Sequence, residues 1–301
     1  MAETAVTRLR RRLARLSPTA RGLLWSTVSG LLFCTLNALM RGLAQELDPL
    51  QAQFLRYGFG FLVMLPFVLR SGAATYWPRS VGAQFTRGAV HTAGLLLWFA
   101  ALPHIALADT TAIGFTTPLF IMIGAHLFLH EAMRWERWVA TAVGFAGVML
   151  VVGPKVSGAG GHYQIVMLGS APLYALSYLL TKRLTQTENA GVIVVWQAIS
   201  ITLFSLPLAV TVWRWPDAWQ WLGFAACGAL GSGGHYCLTR SFRSADISAT
   251  QSVKFLDLLW SSLLSWAMFT ELPTQSTLIG GAVISGSTLW VARRERAART
   301  T

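Results

Sequence analysis

Lys254 and Asp257 are a cation and a carboxylate three residues apart within an otherwise apolar run, a spacing that places both on one face of a helix. Thr250, Lys254, Asp257 and Ser261 extend that face at i, i+4, i+7 and i+11. Charged groups at membrane depth are costly and turn toward a water-filled cavity or a partner. Two chemistries follow. Lys254 can take the carboxylate and Asp257 the ammonium of a zwitterionic metabolite, or the two can neutralise each other as structural glue.

His91 stands about one turn inside another apolar run, with Trp98 seven residues on along the same face. A histidine titrating near neutrality can couple proton movement to another event; the alternative is a packing histidine. The stretch GALGSGGHYCLTR carries Gly231, Gly233 and Gly234 directly before His235. Such glycines either loosen a helix around a site or let a neighbour pack closely. Trp98, Tyr174, Tyr178 and Trp260 fall at mid-span and suit an apolar or aromatic wall. Asn37, Gln51 and Arg56 add polar groups near one mouth, with Arg56 expected to pair with Asp109 or Asp48. Pro118 removes one backbone bond from its helix and predicts a gating kink that Thr116 or Thr117 partly satisfies.

Catalytic patterns are missing. His130-Glu131 begins like the metalloprotease pair H-E-x-x-H, but Arg134 stands where the second histidine belongs. No phosphate-binding loop, nucleophile elbow or dinucleotide fingerprint occurs. Cys34, Cys227 and Cys237 have no metal-ligand spacing. Neither an enzyme nor a bound cofactor or metal is expected.

The elements holding these residues are membrane helices. The chain of 301 residues is 54% hydrophobic and 12% charged, with mean hydropathy +0.51, whereas a soluble domain carries about 25% charged residues. Apolar runs long enough to span a bilayer lie near 22–43, 50–70, 83–103, 106–129, 136–153, 163–183, 190–212, 218–241, 246–269 and 275–293. The net charge of +12 follows topology rather than nucleic acid. Arg8, Arg10, Arg11, Arg12 and Arg15 crowd the N-terminal arm, Arg293, Arg294, Arg296 and Arg299 the tail, and Arg79, Arg87, Arg134, Arg137, Lys182 and Arg183 the loops on the same side. The opposite loops hold only Lys155 and Arg214. By the positive-inside rule both termini are cytoplasmic, in an inner, plasma-type membrane. Trp77, Trp135, Trp215 and Trp219 fall at the predicted interfaces as belt residues.

A weak repeat organises the spans. Asp109–Glu131 aligns with Ala249–Glu271, matching Thr110 to Thr250, Phe115 to Phe255, Leu119 to Leu259 and Glu131 to Glu271. Leu36–Tyr57 aligns with Ser177–Ala198 at nearly the same offset of about 140 residues, bringing Arg41 onto Lys182. The domains are therefore a basic arm at 1–21, a first five-helix repeat at 22–153, an external linker at 154–161, a second repeat at 162–293 and a basic tail at 294–301. An odd number of spans per repeat inverts the second half, as in many secondary transporters.

The paired halves, the Thr-Thr-Pro of TTPLFIMIGAHLFLHE and the closing run FAGVMLVVGP resemble the EamA-type drug/metabolite transporter superfamily over essentially the whole chain. Leu258 departs from that pattern where the first half has Pro118. The resemblance implies a cavity between the halves and export of small metabolites, amino acids prominent among them. The expected protein is an all-α, ten-helix inner-membrane secondary transporter working by alternating access. Its partners would be a small amphiphilic substrate, best an apolar or aromatic amino acid, membrane lipids and protons as coupling ion. Uptake or facilitated diffusion of a vitamin or nucleoside-like metabolite is the alternative.

Overall fold

A computed structural model describes residues 16–43, 46–101, 114, 116–131, 135–152, 161–254, 256–269, 275, 278–280, 282–283, 286–287 and 290. The chain order is α1 (Pro18–Leu43), α2 (Pro49–Ser71), a 3-10 turn (Ala73–Tyr76), α3 (Val81–Ala101), α4 (Thr117–Leu129), α5 (Trp135–Val152), α6 (Gly161–Leu184), α7 (Ala190–Thr211), α8 (Ala218–Ser244), α9 (Ile247–Lys254) and α10 (Asp257–Phe269). No strand occurs among the described residues. By length and composition α1 to Met40, α2, α6 from Ile165 and α7 can each cross a membrane. The expected spans at 22–43, 50–70, 83–103, 136–153, 163–183, 190–212 and 218–241 coincide with α1, α2, α3, α5, α6, α7 and α8 to within a few residues. The span at 106–129 is described only from Gly114 and that at 275–293 only in pieces. The count of ten, most of the basic arm, most of the linker and the tail thus fall partly or wholly outside the described residues.

The span expected at 246–269 is not one helix. It breaks between α9 and α10, where the Leu256 N–H donates to the Val253 carbonyl at 3.0 Å and so tightens the end of α9. The polar face drawn through Thr250, Lys254, Asp257 and Ser261 assumed an unbroken helix, and the break divides it. Thr250 is fully buried with its hydroxyl donated to the Ile247 carbonyl, while Ser261 is exposed. The first half repeats this pattern at the offset of the sequence repeat. Gly114 is helical, Thr116 lies in a turn, and α4 runs from Thr117 for 13 residues, as α10 does from Asp257. Pro118 therefore lies in the first turn of α4 rather than within a longer described helix. A missing N–H costs nothing there, so among the described residues Pro118 sits at the start of α4.

The two halves interleave. α1 packs antiparallel on α8, with Gly22 against Ala245, Ser29 Oγ donating to the Gly234 carbonyl at 2.9 Å, and Leu43 against Gly223. α3 packs the same way on α6, from Arg87 beside Thr181 to Leu97 beside Gly169. α2 crosses α7 antiparallel, with Gln53 Nε2 donating to Ser205 Oγ at 2.7 Å and Gly58 against Thr202. Pro66 and Pro207 occupy the same register of α2 and α7, again at the repeat offset. α8 continues unbroken through Gly231, Gly233 and Gly234; these glycines face Arg56, Leu32 and the Phe33 ring. Their visible role is close packing rather than an interruption. Among the glycines of α8, Gly228 is tightest, since a Cβ there would lie 2.6 Å from the Phe59 carbonyl carbon.

Polarity is distributed inside out. Leu69, Phe128 and Ile165 are each 70% exposed or more, while Arg87 is 2% exposed and Gln197 1%. A soluble fold shows the reverse; an apolar exterior around a polar core suits a bilayer. Arg87 is accordingly no loop residue, and Arg137 is buried as well.

Candidate substrate site between the halves

Arg87 on α3 anchors a buried polar chain. Its Nε donates to Thr181 Oγ1 at 2.5 Å, one terminal nitrogen to the Ile193 carbonyl at 3.2 Å and the other to Gln197 Oε1 at 2.6 Å. All three acceptors are neutral. With its oxygen taken by Arg87, the Gln197 amide turns its nitrogen to His235 Nε2 at 3.4 Å. That nitrogen can only donate, which leaves His235 Nε2 as an acceptor. Tyr57 Oη lies 3.4 Å from the same atom and 3.2 Å from His91 Nε2. It satisfies both by donating to His235 and accepting from His91. Ser177 Oγ, 3.0 Å from His91 Nδ1, then donates to the ring. One set of proton positions is compatible with every contact, with Gln197 and Tyr57 sharing the single lone pair of His235 Nε2, and the fixed donors of Arg87 set its direction.

The chain joins α2, α3, α6, α7 and α8, and so both halves. His91 and His235 have ring centroids 5.9 Å apart. Each also meets an aromatic from the first helix of the opposite half, Tyr174 on His91 at 5.3 Å and Phe33 on His235 at 4.9 Å. Phe33 and Tyr174 correspond at the repeat offset. Next to Tyr57 and His235 is a narrow cleft with only about 10 Å³ of water-accessible space, walled by Arg56, Tyr57, Gln197, Gly231, Ser232 and His235 among others. Ligand pockets for drug-sized molecules run to about 300–1,000 Å³, so the cleft in this conformation has room for little more than a water. Arg56 stacks over the Tyr57 ring at 4.9 Å, and its buried Nε has no hydrogen-bond partner.

The other expected site residues scatter. Lys254 Nζ and an Asp257 carboxylate oxygen meet at 3.2 Å across the helix break. The last residue of α9 and the first of α10 thus carry the charges that suit the two helix ends. α1 grips the break. Asp257 presses on Gly30, Cys34 Sγ donates to the Asp257 carbonyl at 3.2 Å, and Lys254 lies over the Phe33 ring at 5.6 Å. Phe33 stands between Lys254 and His235. Trp98 stacks on Tyr174 at 6.3 Å, and Tyr178 packs between His91 and Phe242. Trp260 keeps a buried indole N–H without a partner. Asn37 is exposed. Gln51 is spent on a two-way bond with the Arg214 backbone, and Asp48 caps α2. Asp109 lies outside the described residues.

A second polar cluster grips the turn between α8 and α9. Lys182 Nζ donates to the Phe242 and Ala245 carbonyls, both at 2.6 Å, where α8 ends. Glu131 accepts the Ile247 and Ser248 N–H groups at 2.8 and 3.1 Å, and the Ser248 hydroxyl at 2.6 Å, where α9 begins. Arg137 reaches Ser248 Oγ and Asp246. Lys182 and Glu131 each meet the helix end of opposite polarity, and Arg137 is matched by Asp246.

Sequence reasoning singled out His91, Tyr174 and Tyr178 but passed over Tyr57, Arg87, Gln197 and the His235 ring as one network. Arg87 and His91 at i, i+4 carried a signal of a shared polar face. The crossing that brings Tyr57 and Gln197 to it is tertiary.

Comparison with known proteins agrees with this architecture. The model of the EamA-like transporter family matches twice, over residues 20–153 and 163–293. A riboflavin transporter of Rhizobium johnstonii is 32% identical over 91% of both chains. An S-adenosylmethionine uptake transporter of Rickettsia felis is 27% identical over 92% of this chain and 94% of its own. A pseudopaline exporter of Pseudomonas aeruginosa is 24% identical over 91% and 97%. One solved structure aligns with 92% of this chain and 99% of its own at TM-score 0.80 and 17% identity, a likeness of fold alone.

Proposed function

Because the chain belongs to the EamA-like transporter family, we propose that it takes up a vitamin- or nucleoside-like metabolite, a fused heteroaromatic ring with a polar tail, through the bacterial inner membrane. Two inverted five-helix halves alternate access around the cleft between α2, α7 and α8. The antiparallel crossing of α2 and α7, helices in equivalent register, supports the inversion. Discontinuous helices at matching positions of two halves commonly flank transporter sites, and the breaks ahead of Thr117 and Asp257 are such a pair.

The observation that carries the substrate class is the cleft's wall. It offers fixed hydrogen-bonding groups on Arg56, Tyr57, Gln197 and Ser232 and, among the described residues, no carboxylate. Export of amino acids, the first expectation, needs a free charge pair for a zwitterion. Lys254 and Asp257 satisfy each other instead and stand outside the cleft wall. No relative named above is an amino-acid exporter, and two are named for riboflavin or uptake. In this reading Trp98, Tyr174 and Tyr178 support His91 from the side, and the break at Lys254–Asp257 lets α10 tilt. Proton coupling through His91, Tyr57 and His235 belongs to the same reading, and flux indifferent to an imposed pH gradient removes it.

The test is uptake of labelled riboflavin, S-adenosylmethionine and phenylalanine into proteoliposomes, against empty liposomes. Saturable riboflavin or S-adenosylmethionine uptake supports the proposal. Phenylalanine flux alone restores the amino-acid reading.

A further inference from the structure

We propose that Arg56 fixes the charge class of the substrate: it receives an acceptor-rich or anionic edge and excludes cations. This rests on reading the cleft as the transport site. Several buried or half-buried cations around the core have partners. Arg87 has three neutral acceptors, Lys254 has Asp257, Lys182 has two helix-end carbonyls, and Arg137 has Ser248 and Asp246. Arg21 also has a buried, unpartnered Nε and Arg240 lies over the Trp25 ring, but neither lines the cleft. Arg56 has only the face of the Tyr57 ring, and its Nε is buried without an acceptor. It also lines the cleft.

An unneutralised guanidinium inside a bilayer is costly. A substrate that brings its own acceptors recovers much of that cost, because the planar fork binds a carboxylate or paired carbonyls with two parallel bonds. The repeat sharpens the argument. The position equivalent to Arg56 in the second half is Gln197, whose amide is already occupied by Arg87 and His235. The cleft therefore has one charged, unsatisfied wall and one neutral, satisfied wall. A molecule with one acceptor-bearing edge enters in a single orientation. A cationic molecule meets Arg56, with Arg87 behind Gln197, and no counter-charge among the described lining residues.

The experiment is a binding titration of the purified full chain in detergent. It follows quenching of riboflavin fluorescence, with competition by nicotinate, an anion, and S-adenosylmethionine, a cation. Wild type is expected to bind riboflavin or nicotinate at least about tenfold more tightly than S-adenosylmethionine, roughly the worth of one charge-assisted hydrogen bond. R56Q, monodisperse on gel filtration, should lose about tenfold for the acceptor-bearing ligand and lose the discrimination against the cation. R56K, which keeps the charge without the fork, should keep the discrimination while losing affinity. If R56Q does not fold, R56K decides alone, and unchanged affinity there overturns the bidentate role. A folded R56Q with wild-type preferences, or a wild type favouring S-adenosylmethionine, overturns the proposal while leaving transport intact. Wild type that binds none of the three overturns the substrate reading itself.

Discussion

At the residue scale one hydroxyl holds the centre together. Tyr57 Oη is the described atom that bridges the two histidines. Tyr57→Phe keeps the ring and its stacking but leaves His91 Nε2 without its partner and His235 Nε2 with Gln197 alone. A buried polar atom left unsatisfied costs about 1–3 kcal/mol. The variant should melt several degrees lower in detergent, and unchanged melting would show that the bridge contributes nothing. Residue identity had flagged His91, because a titratable ring in an apolar run is conspicuous by itself. Tyr57 and Gln197 are not conspicuous; a tyrosine or glutamine in a membrane helix acquires meaning only from what crosses it. Arg87 was hidden for another reason. An arginine near a helix end counts as a loop cation until packing shows that it is enclosed.

At the scale of elements, most helices were legible from apolar run length, and the break between α9 and α10 was not. The segment Val-Lys-Phe-Leu-Asp contains neither glycine nor proline, so nothing local ends the helix there. Contacts from α1 coincide with the break: Gly30 admits the Asp257 carboxylate and Cys34 bonds its carbonyl. Pro118, which does read as a breaker, lies in the first turn of α4, and periodicity cannot say where a run starts. The ion pair at the break gives a sharp prediction. Removing one member of a buried pair strands the other charge and costs about 3–5 kcal/mol, whereas replacing both by apolar residues of similar size is often neutral. Because Lys254 and Asp257 are partly accessible, at 19% and 25%, the single loss should fall below that range. K254A should still melt clearly lower than the double variant K254M/D257L. If the double variant is the less stable, the pair does more than neutralise charge.

At the scale of the molecule, the repeat was legible and the interleaving was not, since a sequence offset says which helices correspond but not which ones touch. The closest described packing of α1 is with α8, α9 and α10, and that of α6 with α3 and α4. Each half thus keeps its first helix against the other half. Chains 1–157 and 158–301 expressed separately should each be unstable, and co-expressed they should reassemble and recover transport. A monodisperse first half on its own would contradict the interleaved packing. The same arrangement bears on biosynthesis. α1 leaves the ribosome first, but Gly234, the acceptor for its Ser29 hydroxyl, follows about 200 residues later. At about 5–20 residues per second, that leaves the first helix waiting on the order of ten to forty seconds with its partner not yet made. The insertion machinery must shelter a segment whose polar serines and close-packing glycines face a neighbour still being translated, so the growing chain is most vulnerable to degradation just before α8 emerges.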